Sequence, residues 1–351
     1  MRTDFLKDFE LAGRMTCALW DTTNVSLADR SLKVAHRVVD LSLTPALRDR
    51  LVVTGFWRSG TTWIMQQAAH ALHAKTVFEP LAPSSGAFWS DRPFAKERAN
   101  CEMYMPLSMA ELQGKARAMT LGALQGRGQT GFAFFCRQSL LEGFRLNTVA
   151  KFTRAGFLLP DLMTATDAKF IHIRRHPGAV YASLRDVDWD WSINDLSLSR
   201  LYQDVPASES PRLLAIRQAL LANDTSPARR IGALWALSER EVHRVAQSAP
   251  KGRLLEVSYS DLLTRKASLS VALETLGFKL KAIPDPTRIS PVTASDRHLV
   301  NTQERLNSWQ DQLSAREQTE VRAVTCDLFP EASGIFWDDP SPLEHSRSAS
   351  R

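Results

Sequence analysis

Cysteine is scarce in this chain. Cys17, Cys101, Cys136 and Cys326 are scattered through 351 residues, too far apart for a metal signature and too few for a disulfide framework. A reducing compartment is the simplest setting, and a cytoplasmic protein is expected. No apolar run approaches the roughly 18 to 20 residues that cross a bilayer, so no transmembrane segment is expected. The opening MRTDFLKDFELAGRM carries acids and lacks a long apolar core, which argues against a secretory signal. There is no block of lysine and arginine and no internal repeat. The net charge of +6 is spread along the chain. A polyanionic cofactor or an acidic acceptor accounts for it as well as nucleic acid would, and no nucleic-acid partner is expected.

The content is that of a globular protein, 44% hydrophobic and 23% charged, long enough for one large or two modest domains. The organising stretch is LVVTGFWRSGTTWIMQQAAHAL, residues 51–72. Leu51 to Thr54 reads as a short buried strand. GFWRSGTT reads as a tight turn. Trp63, Ile64, Gln67, Ala68, Ala71 and Leu72 then recur at helical spacing, and the helix is expected to run to about Ala74. A strand, a glycine-bearing loop and a helix N-terminus form an anion cradle, because the first-turn N–H groups lack intrahelical partners and the helix dipole favours negative charge. Gly55 and Gly60 let the backbone wrap closely. Arg58 adds a fixed charge, and Ser59, Thr61 and Thr62 add hydroxyls.

Gly55 to Thr62 matches the glycine spacing of the nucleotide P-loop GxxxxGK[ST], but Thr61 stands where the lysine belongs. That lysine reaches the terminal phosphates of ATP, so a phosphoryl-transfer reading loses support. The Arg58-Ser-Gly-Thr-Thr-Trp63 run resembles instead the 5′-phosphosulfate loop of the sulfotransferases, whose donor is PAPS (3′-phosphoadenosine 5′-phosphosulfate). A second run strengthens the resemblance. Lys169 to Arg174 reads as a strand, Pro177 opens a helix, and Arg175 and Ser183 lie eight residues apart. This is similar to the family's Arg…Ser pair for the 3′-phosphate of PAPS. Arg174 competes with Arg175 for that part, and the spacing to Ser183 favours Arg175.

Three further matches extend the resemblance over most of residues 51–310. Lys75 to Phe78 reads as a second strand, ended by Glu79-Pro80. Glu79 follows Arg58 by 21 residues, one helix-plus-strand length, which brings both to the carboxyl edge of a parallel sheet. Phe78-Glu79-Pro80-Leu81 resembles the Glu-Pro-Leu of carbohydrate sulfotransferases, where the glutamate is the base. A third strand, Thr148 to Phe152, carries Lys151, which resembles the lysine that contacts the transferring sulfuryl group. The cytosolic branch has a histidine base two residues after that lysine; this chain has Thr153, which moves the base assignment to Glu79. Leu254 to Val257 reads as another strand, and Tyr259-Ser-Asp-Leu resembles the family's Tyr-Glu-Asp-Leu near the adenine, with Ser260 replacing the glutamate. Arg297, Arg305 and Trp309 resemble the basic loop and tryptophan that close over the donor.

The resemblance implies an α/β fold: a three-layer P-loop-NTPase-like arrangement with a central parallel sheet of about five strands flanked by helices. Residues 1–50 are expected to be a helical extension. Residues 51–335 are expected to be a single domain with acceptor-side insertions at about 83–145 and 184–226, and 340–351 a disordered tail. Residues 83–100 form a Pro/Ser/Gly-rich loop bearing Phe88 and Trp89. The alternating Asp186, Asp188 and Asp190 lack the glycine and glutamate of a calcium loop. Residues 227–247 read as a helix with Trp235 in the core. Expected roles are Glu79, Arg58 and Lys151 in catalysis, and Arg58, Ser59, Gly60, Thr61, Thr62, Trp63, Arg175, Ser183, Tyr259 and Arg297 in holding PAPS, with PAP (3′,5′-ADP) as product. No metal is required, since arginine and lysine neutralise the donor. The expected acceptor is a hydroxyl on a saccharide or glycoconjugate, with a lipid, phenol or natural-product alcohol as alternatives; a homodimer is left open. Two rivals stay in view: a P-loop kinase using ATP, and a non-enzymatic anion- or nucleic-acid-binding protein, which leaves Glu79 without a task.

Overall fold

A computed structural model describes residues 35–36, 38–39, 48–82, 103–112, 114–128, 131–137, 140–186, 193–203, 210–284 and 302–337. Five strands form one sheet: β1 (Arg50–Gly55), β2 (Ala74–Phe78), β3 (Asn147–Phe152), β4 (Lys169–Arg174) and β5 (Leu254–Ser258). Their order across the sheet is β2-β3-β1-β4-β5, with every pair parallel. The helices are α1 (Thr61–Ala71), α2 (Gly114–Leu124), α3 (Leu159–Ala165), α4 (Pro177–Arg185), α5 (Leu198–Tyr202), α6 (Pro211–Ala222), α7 (Pro227–Ser248), α8 (Tyr259–Leu263), α9 (Leu269–Thr275), α10 (Thr302–Asn307), α11 (Trp309–Gln312) and α12 (Ala315–Leu328). The five strands occupy the stretches read as strands, within a residue at each end, and the α/β architecture with a five-stranded parallel sheet stands as expected.

Successive strand residues point to opposite faces, and here both faces are apolar, the pattern of a parallel sheet covered on both sides. Leu51, Val53, Val149, Ile171 and Ile173 pack against α1 and the α8–α9 region, with Ile64, Ala68, Leu262 and Leu273. Val52, Ala150, Phe152 and Phe170 pack on the other face against α2, α3 and the end of α7, with Met119, Leu159, Leu162 and Val242. A third cluster joins α4, α5, α6, α7 and α12 around Trp235, which is fully buried. The stretch read as an excursion at 184–226 therefore contributes α5 and α6 to this core, through Leu198, Leu201, Tyr202, Leu213, Ile216 and Leu220.

One boundary needs correction. The helix expected to reach Ala74 ends at Ala71, because His73 turns with φ 47° and β2 already begins at Ala74. Of the expected N-terminal helical extension only residues 35–36 and 38–39 are described, and they are helical. Phe88, Trp89, Asp188, Asp190, Arg297 and the tail at 340–351 lie outside the described residues. No described helix is long and apolar enough to cross a membrane.

Candidate active site

Each strand leads into candidate site residues at the same edge of the sheet. The loop at 56–60 follows β1, Glu79 follows β2, Thr153 and Arg154 follow β3, Arg175 follows β4, and Tyr259 follows β5. In a parallel sheet this carboxyl edge is where ligands sit, beside the strand at which the connections change direction. That strand is β1, with β2 reached on one side and β4 on the other.

The loop is a tightly enclosed turn. The Ser59 N–H donates to the Phe56 carbonyl at 3.2 Å. Gly60 is the N-cap of α1, with φ 91° and no side chain capping the helix. A Cβ there would lie 2.7 Å from the Tyr259 ring, so both the left-handed backbone and the close approach require glycine. A Cβ on Gly55 would meet the Ile173 carbonyl at 2.7 Å. The Ser59 hydroxyl is fully buried with no hydrogen-bond partner. An uncapped helix start beside a buried, unpartnered hydroxyl suits a polyanionic ligand, which would satisfy both. Thr61 and Thr62 occupy the first turn, and Trp63 meets Tyr259 edge-on at 6.3 Å. A cavity of ≈ 380 Å³ lies beside them, lined by Trp63, Gln67, Leu262, Arg265, Leu269 and Ile283 among others.

Three of the expected donor-side residues meet at Arg58. Its Nε donates to Ser183 Oγ at 3.0 Å, and its carbonyl accepts from Arg175 Nη1 at 2.7 Å. The Arg175 guanidinium lies 5.0 Å from the centre of the Tyr259 ring. Arg174 is committed elsewhere. It donates to Glu239 Oε2 at 2.9 Å and also pairs with Glu256. Glu239 further binds His172 Nε2 at 2.9 Å, and His172 Nδ1 is 3.0 Å from Thr54 Oγ1. This buried polar ladder ties β1, β4, β5 and α7 together just below the loop. Burial would push the Glu239 carboxyl up, but His172 and Arg174 outweigh it and hold the group below its usual range.

Glu79 and Lys151 form the second half of the site. Glu79 Oε1 is 2.9 Å from Lys151 Nζ, and both side chains are buried. Lys151 Nζ also donates to Thr62 Oγ1 at 2.8 Å, which links the pair to the first turn of α1. Glu79 Oε2 accepts from the Thr153 N–H at 3.1 Å and lies 3.8 Å from Arg154 Nη1. Burial pushes the Glu79 carboxyl up; Lys151, Arg154 and the hydrogen bonds from Thr153 and Lys151 together bring it below the usual glutamate value. Arg58 and Glu79 both have left-handed backbones, with φ 62° and 37°. Such conformations cost on the order of 1–3 kcal/mol for a non-glycine residue and persist where the surroundings dictate them.

Arg154 is absent from the sequence reading, although its signal was there: a second cation three residues after Lys151, just past a strand end. The ladder around Glu239 had no sequence signal, since Glu239 lies 65 residues from Arg174 and 67 from His172 along the chain. Trp309, expected over the donor, is buried against Gly178 and His176, next to Arg175, its ring centre 4.2 Å from that of the imidazole. Among the described residues no group of three or more His, Cys, Asp or Glu stands where it could hold a metal ion.

Fold and site together describe an α/β protein with a polyanion cradle beside a buried carboxylate. No family model matches the chain, and no curated protein matches it. Among solved structures it is similar to the sulfotransferase domain of the curacin biosynthetic pathway, at 15% identity and TM-score 0.40 over 80% of this chain and 98% of that one. It is also similar to the sulfotransferase domain of the Synechococcus PCC 7002 olefin synthase, at 16% identity and TM-score 0.41 over 80% and 94%. A third is the mouse sulfotransferase SULT7A1 complexed with PAP, at 13% identity and TM-score 0.35 over 89% and 93%.

Proposed function

We propose that the chain is a sulfotransferase that moves a sulfuryl group from PAPS to a hydroxyl of an acceptor. The observation that carries this reading is one continuous set of contacts. Glu79 meets Lys151, Lys151 meets Thr62 in the first turn of α1, and the same loop's Arg58 meets Ser183 and Arg175. A base, a cation beside it, an anion cradle and a second cationic subsite thus share one edge of the sheet.

Bound PAPS supplies an activated sulfuryl group whose leaving group is a nucleotide phosphate. Arg58, Ser59, Thr61, Thr62 and the first-turn amides hold the 5′-phosphate and meet the charge that builds on its bridging oxygen. Arg175 and Ser183 take the 3′-phosphate through charge-assisted hydrogen bonds. Trp63 and Tyr259 flank the adenine, and Arg297 is a further donor contact by family resemblance. Lys151 meets the sulfuryl oxygens. Glu79 accepts the acceptor's hydroxyl proton as that oxygen bonds to sulfur. The bond from sulfur to the 5′-phosphate breaks, with its electron pair staying on the phosphate. The products are a sulfate ester and 3′,5′-ADP.

The acceptor is a saccharide or glycoconjugate hydroxyl, a reading supported by the Phe78-Glu79-Pro80-Leu81 run. A kinase reading is left without its lysine, because Thr61 opens α1 where that residue would stand. The test is incubation with radiolabelled PAPS and a panel of sugars, lipids and phenols. Label should move to a sugar hydroxyl. Transfer to a phenol or lipid alone would replace the acceptor assignment, and no transfer to any member, with Mg²⁺-dependent ATP turnover instead, would overturn the class.

A further inference from the structure

The two cations beside Glu79 stand on opposite sides of it. Lys151 contacts Oε1 and reaches on to Thr62 in the donor loop, so it lies between the carboxylate and the donor. Arg154 and the Thr153 N–H face Oε2 instead. Arg154 is 4% exposed, and its guanidinium lies 5.3 Å from the centre of the Trp57 ring. In the reaction proposed above, Lys151 turns to the sulfuryl oxygens at the moment Glu79 must be ionised. A buried carboxylate stripped of its cation takes up a proton, and a protonated Glu79 has no use as a base.

We propose that Arg154 is the positioning residue that keeps Glu79 a carboxylate once Lys151 engages the donor, a role that rests on the sulfuryl-transfer reading. The oxygens then divide the work. Oε2 stays with Arg154 and the Thr153 N–H. Oε1, released by Lys151, takes the acceptor proton while the acceptor oxygen bonds to sulfur and the 5′-phosphate leaves with the electron pair. The groups acting on Glu79 are Lys151 from β3, and Arg154 and Thr153 from the turn after it. Cys136, after the 3₁₀ turn Gly131–Phe134, also feels Glu79, but burial above all raises its thiol to about 12, so it stays neutral. Of these groups, Arg154 is the cation that remains.

The experiment is an isotope-edited infrared titration of the Glu79 carboxylate in free protein carrying Lys151→Met, where the lysine's contact with Oε1 is already gone, assigned by the band lost on adding Glu79→Gln. In Arg154→Gln the protonation midpoint should rise by about one pH unit or more, a tenfold change in that equilibrium. Arg154→Lys should give a smaller rise in the same direction. In transfer assays Arg154→Gln should lose rate at the acid end of the pH profile and regain it at the alkaline end, with unchanged affinity for 3′,5′-ADP by calorimetry. If Arg154→Gln does not fold, Arg154→Met and then Arg154→Lys carry the test with the same expected direction. An unmoved midpoint, or a rate lowered equally at every pH, overturns the proposal. A midpoint that shifts on Arg154→Gln, together with wild-type protein that transfers no sulfuryl group to any acceptor, overturns the enzymatic reading and leaves the hold of Arg154 on Glu79 standing.

Discussion

At the scale of single residues the site is set by charges held out of water. Glu79 is 5% exposed and Lys151 equally so, and a buried ion pair is retained only with good geometry and further hydrogen bonds. Thr62 and the Thr153 N–H supply those bonds. Glu79→Gln keeps the shape and removes the base. Turnover should fall by roughly a hundred- to ten-thousand-fold, while 3′,5′-ADP still binds; near-normal turnover would sink the assignment. Arg175→Ala acts on the donor. A hydrogen bond to a charged group is worth about 1.5–3 kcal/mol, so 3′,5′-ADP affinity measured by calorimetry should drop by roughly 10- to 100-fold. Unchanged affinity would remove Arg175 from the donor site.

At the scale of elements, the start of α4 is built around His176. Its Nδ1 accepts from the Gly178 N–H at 3.1 Å, capping the helix, and its Nε2–H donates to the Phe336 carbonyl at 3.1 Å. The ring is stacked on Trp309 and edged by Trp337. Burial, with Arg175 alongside, brings the imidazole down to about 3 despite the Phe336 carbonyl. The folded protein therefore binds this proton less readily than the unfolded chain, whose histidine titrates at 6.5. Stability is complete above pH 6.5 and falls as the pH drops below it, by up to about 1.4 kcal/mol per unit. Glutamates 79 and 239 are held below 4.5 and lose their contribution only under that value, so between 4.5 and 6.5 the contribution of His176 is separate from theirs. His176→Asn keeps a capping acceptor and removes the titration. Urea unfolding across that window should show a slope in the wild type and a flatter line in the variant; equal slopes would contradict this origin.

At the scale of the whole molecule, the ladder of Thr54, His172, Arg174, Glu239 and Glu256 decides how the strands present the loop. Glu239→Ala leaves His172 buried without its carboxylate and Arg174 with Glu256 as its remaining partner. The loss should be about 3–5 kcal/mol by chemical denaturation at pH 7, and a cost under about 1 kcal/mol would show that the ladder relaxes freely. By itself, the sequence determined the strands, because each is a short run rich in apolar and β-branched residues, most of them closed by glycine or proline nearby. It also determined the loop, because Gly55, Arg58, Gly60 and the paired threonines act through a backbone turn that is local. That Arg175 and Ser183 both reach Arg58 is in keeping with their eight-residue spacing, since Arg175 stands just before the helix that carries Ser183. Arg154, the unpartnered Ser59 hydroxyl and the placement of Trp309 were not legible in the sequence. A burial, a charge pairing or an orphaned donor depends on side chains brought in from distant segments, as when α7 supplies Glu239 to His172 and Arg174 of β4 from 67 and 65 residues away. The order β2-β3-β1-β4-β5 is likewise a tertiary outcome. It puts Lys151 of β3, with its partner Glu79, and Arg175 after β4 on either side of β1, on opposite flanks of the loop between them.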